Sequence, residues 1–308
     1  MSARCKDRRM ATIAARGLGK SYAGKPAVSD LSFDVLPGSV TGFLGPNGAG
    51  KSTAMRLMLG LDKGAGETTF DGRRFSQLPQ PMRHVGALLE AKPFHPTRTA
   101  RNHLRMLAVA NGIPTARVDE VLALVGLTEV ARAKPRGFSM GMGQRLGLAA
   151  ALLGDPHTLI LDEPANGLDP AGIRWMRNLL RGYANRGGTV LLSSHLLHEI
   201  EVIADDLVVI GNGRVVAQGT KADLLAAAGT VARARDAAAL ALAMKQAGLA
   251  FTTHADGTVH TEAPPEHVGQ AALSAHVVLT ELRTADGAGL EETFLELTAD
   301  TQREGAAA

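Results

Sequence analysis

One cysteine, Cys5, stands among 308 residues, so no internal disulfide can form. With no secretory h-region at the N-terminus, this usage fits a reducing cytoplasm. Long hydrophobic runs are missing as well. The longest, such as VLLSS and LVVIG, are strand-sized, whereas a membrane span needs about 18 apolar residues. No integral membrane segment is expected. Charge of one sign is also scarce, at a formal net of +3. A basic cluster opens the chain, MSARCKDRRM, but no aromatic residues interleave its charges. Residues 1–10 therefore read as a disordered start, and no nucleic-acid partner is expected.

What the chain does have is 45% hydrophobic content and length for one large domain plus a smaller one. From Ile13 to about Gly219, short β-branched runs alternate with amphipathic helical stretches, the pattern of an α/β domain with a largely parallel sheet. LSFDV, VTGFL, TLILD and TVLLS are its strand candidates. Residues 97–154 carry helical spacing and almost no strand signal, which predicts an inserted helical subdomain. LVVI-GNG-RVVAQ predicts a hairpin through its Asn-Gly pair. The core is thus expected over residues 11–219. A helical connector comes next at 220–229, capped by Thr220 and ended by Gly229. Residues 230–308 read strand, helix, strand, strand, helix, strand, the βαββαβ order of a small ferredoxin-like α+β domain. A last helix, LEETFLELTAD, places Leu290, Phe294 and Leu297 on one face.

Chemistry concentrates in three stretches. GPNGAGKST, residues 45–53, satisfies G-x-x-x-x-G-K-[ST] between a strand and a helix, so it is a P-loop. Gly45, Pro46, Asn47, Gly48, Ala49 and Gly50 wrap the backbone around phosphates. Lys51 adds a point charge at the β/γ oxygens, and the hydroxyl of Ser52, beside Thr53, reaches Mg²⁺. TLILDE, residues 158–163, is a buried strand ending in two acids: Asp162 is placed for Mg²⁺. Glu163, expected on the opposite side of the strand, polarises the attacking water. His195 follows another buried strand and can reach the γ-phosphate. The third stretch, FSMGMGQRL at 138–146, offers small residues at a helix start and hence free N–H groups for an anion. It has no lysine, so it cannot hold a triphosphate alone.

GPNGAGKST, FSMGMGQRL, LILDEPANGLD and LLSSH, in this order, resemble the Walker A, signature, Walker B with D-loop, and H-loop of ABC transporter ATP-binding subunits, over about residues 11–220. The resemblance implies a P-loop ATPase that uses ATP and Mg²⁺. It also implies a head-to-tail dimer, homomeric or with a related subunit. Each ATP would lie between one P-loop and the other subunit's signature, with Ser139, Gly141 and Gln144 on the signature side. Tyr22 would stack on adenine, and Asn166 to Asp169 would cross the interface. A separately encoded membrane permease would be the partner, which places the chain on the cytoplasmic face of the membrane. Two departures stand out: Glu90 occupies a position where the family has glutamine, a carboxylate that can still ligate Mg²⁺ but adds negative charge near the γ-phosphate, and, aligned on Gln144-Arg145, the usual LSGGQ becomes SMGMG, so that Ser139 falls one place early and Met140 takes the serine's position while Gly141 is retained. Both features, and the C-terminal helix, resemble the exporter subgroup for bacitracin, lantibiotics and anthracycline-type drugs. Two other readings remain at this point. One is a soluble ABC ATPase acting on DNA or the ribosome, against which stand the single cassette and the lack of zinc cysteines. The other is a weakly hydrolysing regulatory module, suggested by Glu90 and the altered signature.

Overall fold

Two strands open the fold, β1 (Ile13–Tyr22) and β2 (Lys25–Val35). They are joined by Ala23 and Gly24, whose φ values of 47° and 80° suit the twist of a two-residue hairpin. The remaining elements of the core are β3 (Val40–Leu44), α1 (Lys51–Met58), β4 (Ala65–Phe70), β5 (Arg73–Arg74), β6 (Val85–Leu88), α2 (Ala100–Ala110), α3 (Ala116–Leu124), α4 (Met140–Leu152), β7 (Thr158–Leu161), α5 (Pro170–Asn185), β8 (Thr189–Ser193), α6 (Leu197–Ile203), β9 (Asp206–Gly211) and β10 (Arg214–Thr220). The computed structural model describes residues 12–89, 94–95, 97–194, 197–226, 229–254 and 257–284. The basic start, Glu90, His195 and the helix LEETFLELTAD lie outside the described residues.

These strands build two sheets. One has six strands in the order β10-β9-β3-β8-β7-β6, with parallel pairing from β9 through to β6. Its inner strands β3, β7 and β8 are buried at every position, as a parallel sheet covered on both faces requires. The other sheet is antiparallel, in the order β2-β1-β4-β5. Here the expectation from sequence is corrected: LSFDV belongs to β2 of this second sheet, not to the parallel one. The reason is visible in its alternation, since Leu31, Phe33 and Val35 are buried while Ser32 and Asp34 between them are not. Phe33 stacks on Phe43 of β3 at 5.2 Å, and Ile13, Met55, Met58, Phe70, Ile160 and Val208 complete the core that joins the sheets and α1.

Helices α2, α3 and α4 lie within the described residues 97–154, which contain no strand. Gly147 brings α4, the helix that carries the signature, against β6 so closely that an added Cβ would sit 2.6 Å from Leu88 Cδ1. By contacts the described chain divides between Gln218 and Gly219. The second unit contains α7 (Lys221–Ala226), β11 (Thr230–Ala234), α8 (Ala237–Gln246), β12 (Thr252–Thr253), β13 (Val259–Thr261), α9 (Pro265–Ser274) and β14 (Leu279–Thr284). Thr220 Oγ1 accepts from Asp223 N at 3.1 Å to cap α7. The sheet order is β12-β13-β11-β14 with antiparallel neighbours, a ferredoxin-like arrangement over a core of Ala232, Leu240, Met244, Val259, Val268 and Ala272.

Candidate functional site

The P-loop leaves the buried centre of the parallel sheet at Leu44 and returns as α1. Gly50, the N-cap of α1, has φ 103°, and an added Cβ would run into the Ala27 carbonyl oxygen. Among the described residues no side chain caps this helix. Its first N–H groups are thus left for an anion, as a phosphate cradle requires. Gly45 faces a second tight approach, where a Cβ would lie 2.7 Å from the Ile210 carbonyl oxygen. Lys51 is buried, and its ammonium donates to the carbonyls of Gly45 at 2.5 Å and Pro46 at 3.2 Å. Burial lowers its pKa, while the carboxylates of Glu163 and Asp162 pull it back up.

Strand β7 stops at Leu161, and both acids lie beyond it. Asp162 N continues the ladder by donating to Leu88 O at 2.7 Å. Glu163 has φ 49°, so strand alternation, the basis of the sequence expectation, does not set its direction. The left-handed backbone does, and Ser193 at the end of β8 fixes it. Its hydroxyl donates to Asp162 Oδ1 at 2.5 Å and accepts from Glu163 N at 2.9 Å. Asp162 and Glu163 then line one cleft of about 320 Å³ together with Tyr22, Ala27, Asn47, Gly48, Gly50, Lys51, Ser52 and Thr53. Gly45 and Ala49 are buried behind it, and Pro46 is half-buried. Tyr22 is 48% exposed, with its hydroxyl donating to Asp62 Oδ2 at 3.0 Å and Lys20 Nζ 5.1 Å from its ring centre. Asp62 is held below its usual pKa mainly by the Arg56 hydrogen bond.

The signature residues are elsewhere. Ser139 is the N-cap of α4 and accepts from Met142 N at 3.2 Å. Ser139 and Gly141 line a separate cleft of about 270 Å³ with Arg145, Gly167, Leu168 and Asp169, and share no lining residue with the P-loop cleft. Gln144, grouped with them by sequence, turns inward: it is 1% exposed and donates to the Glu163 carbonyl at 3.1 Å. Sequence reasoning passes over Ser193 and Asp62. Ser193 stands in plain view inside LLSSH, but its partner acids are 31 and 30 residues away along the chain.

A family model described as ABC transporter matches residues 28–166. The chain is 31% identical to the linearmycin resistance ATP-binding protein LnrL of Bacillus subtilis over 95% of this chain and 100% of that one. It is 35% identical to the lantibiotic transport ATP-binding protein SrtF of Streptococcus pyogenes over 65% of this chain and 87% of that one. Among solved structures, one described as the ATP-binding subunit of an ABC transporter superposes with a TM-score of 0.64 at 30% identity, covering 69% of this chain and 91% of that one.

Proposed function

We infer the role of this chain from one premise: it belongs to the family of ABC transporter ATP-binding proteins. It is an ATPase of that family. We propose that it energises a separately encoded membrane permease that exports drugs, peptides or similar amphiphiles, a reading supported by the lantibiotic transport and linearmycin resistance named for its relatives. Among the described residues no helix is long and apolar enough to cross a membrane, so the translocation path would come from that partner. The described residues from Gly219 onward form an accessory domain in this reading.

The observation that carries the mechanism is the separation of the two clefts. The P-loop cleft gathers Tyr22, Lys51, Ser52, Asp162 and Glu163, while Ser139 and Gly141 face a different opening. One chain therefore offers two half-sites, and two chains placed head to tail close both. In each closed site Tyr22 stacks on adenine, and Gly45 to Thr53 cradle the phosphates. Lys51 neutralises the β/γ oxygens. The partner copy's Ser139 and Gly141 meet the γ-phosphate. Glu163 accepts the proton of the attacking water, with His195 at the γ-phosphate. Asp162 and Ser52 present hard oxygen donors within the same cleft, which fits Mg²⁺. The ion would offset phosphate charge there, and Glu90 is the further candidate ligand.

Glu163→Gln tests the reading. It should retain ATP binding, lose turnover by about 100-fold or more, and accumulate an ATP-bound dimer. Near-normal phosphate release would remove Glu163 from the role of base.

A further inference from the structure

The signature helix sends one polar side chain away from its own cleft. Gln144 is 1% exposed, and its Nε2 donates to the Glu163 carbonyl at 3.1 Å. Its Oε1 is buried without a hydrogen-bond partner among the described residues. The neighbour dictates which amide atom lies where, since the reverse orientation would set two oxygens against each other. A buried amide with one end unmatched weighs against folding, and leucine would fill similar space without that burden. Its presence calls for another reason.

Glu163 supplies one. Its φ of 49° lies in the left-handed region, which a residue with a side chain keeps only where its surroundings hold it there. Its peptide groups are gripped on both sides. The N–H donates to Ser193 Oγ at 2.9 Å, and the carbonyl accepts from Gln144 Nε2 and from Asn166 N, each at 3.1 Å. Ser193 belongs to the fixed parallel sheet. Gln144 belongs to α4, whose cap and first turn carry Ser139 and Gly141. A helix is stiff over so short a distance, so a displacement at Ser139 is felt at Gln144.

We propose that Gln144 is a positioning residue that carries the state of the signature helix to Glu163 of the same chain. This rests on the proposed function, in which the signature meets the partner's ATP and Glu163 is the base. Engagement of Ser139 and Gly141 by the partner's nucleotide settles α4 in one position. The amide at 144 then holds the Glu163 peptide in its left-handed conformation. A loosened α4 releases it. Nucleotide at one site thus sets the hydrolytic competence of the other.

The test uses the full chain carrying Gln144→Leu, with ATP affinity, turnover against ATP concentration and thermal unfolding measured on each variant. Expected are a melting midpoint equal to or above wild type, ATP affinity within about twofold, kcat lower by about 10- to 100-fold, and weaker cooperativity in ATP. Ser193→Ala should lower kcat in the same way, and Ser193→Thr, which keeps the hydroxyl, should restore it. In a Glu163→Gln background, Gln144→Leu should cost nothing further, because it acts through Glu163. A Gln144 that merely supports the fold would lower stability and activity together, which would overturn the proposal. So would a further tenfold loss in the Glu163→Gln background. Normal turnover in Glu163→Gln alone would sink the reading of Glu163 and the relay with it. Loss in that variant with wild-type kcat in Gln144→Leu would sink the relay only.

Discussion

Two helix starts in this chain border open clefts and are finished differently. At α1 the N-cap is Gly50, no side chain occupies the first N–H groups, and a buried lysine sits directly behind them. At α4 the N-cap is Ser139, whose hydroxyl accepts from Met142 N, and among the described residues the lining of its cleft includes Asp169 and Arg145 but no lysine. The first start leaves donors open and adds a full positive charge, so it can bind polyphosphate by itself. The second keeps part of its donor set occupied, and its cleft sets the Arg145 guanidinium against the Asp169 carboxylate, so it adds little net charge. In the proposed reading it completes a site rather than making one. In that reading, half-sites of unequal strength would give an order of events: nucleotide binds first at α1, and α4 arrives later from another chain.

The largest effect should come from breaking each start in turn. Lys51→Ala should weaken ATP binding by about 100-fold, since it removes the only lysine among the described residues that line the cleft. Gly141→Asp should leave that chain's own ATP binding near wild type yet abolish turnover. An added Cβ at Gly141 would already sit 3.0 Å from Gly167 O, and the carboxylate would confront the incoming γ-phosphate. Each variant alone is expected to be inactive. Mixed, they form heterodimers in which one site joins an intact Lys51 to an intact Gly141, and phosphate release should partly return as the mixing ratio approaches one to one. Crosslinking would verify that heterodimers form. If they form and release stays at zero, while a wild-type and double-mutant mixture keeps some activity, α4 does not serve the partner's ATP.

A smaller effect sharpens the comparison within the first start. Gly50 and Gly48 both have positive φ, 103° and 81°, but only Gly50 is hemmed in, by the Ala27 carbonyl, whereas a Cβ at Gly48 meets nothing within 4 Å. Gly48→Ala should therefore cost about 1 kcal/mol of conformational strain. Gly50→Ala should cost roughly 2 kcal/mol or more and weaken ATP binding as well, because the loop must move to relieve the clash. Urea unfolding and nucleotide titration of both variants would check the ranking. Equal costs would mean that the loop yields easily at Gly50.

The first start is plain in the sequence because its chemistry is local: glycines, lysine and serine at fixed spacing fold into one turn whatever surrounds them. The ferredoxin-like order near the C-terminus is legible for a similar reason, each strand and helix having its own period and punctuation. What sequence reasoning misses is held together at long range. The inward turn of Gln144 depends on α4 lying against β6 at Gly147. The clamp on Glu163 depends on Ser193, brought alongside by strand pairing between β7 and β8. Glu163 itself escapes the alternation rule because β7 ends two residues earlier. LSFDV carries its alternation openly, yet its place just ahead of the P-loop strand draws it toward the buried sheet when the sequence is read alone.

The smallest effect tests what the serine of the second start is for. Ser139→Ala removes the cap of α4, which should cost about 1 kcal/mol, or about 2–4 °C in the melting midpoint of the core. Asn is as good a cap as serine, so Ser139→Asn should recover that stability. The two roles of the hydroxyl then separate. If it serves only to cap, turnover follows stability: slightly reduced in the alanine variant and normal in the asparagine one. If it also meets the partner's γ-phosphate, stability returns with asparagine while turnover does not, because the bulkier amide occupies the space the phosphate needs. The second outcome is expected, since Ser139 is exposed and lines the open cleft even while its oxygen accepts from Met142 N. Scanning calorimetry beside a phosphate-release assay distinguishes them. Normal turnover in Ser139→Asn would leave Gly141 and the α4 backbone as the only contacts that the second start makes with nucleotide.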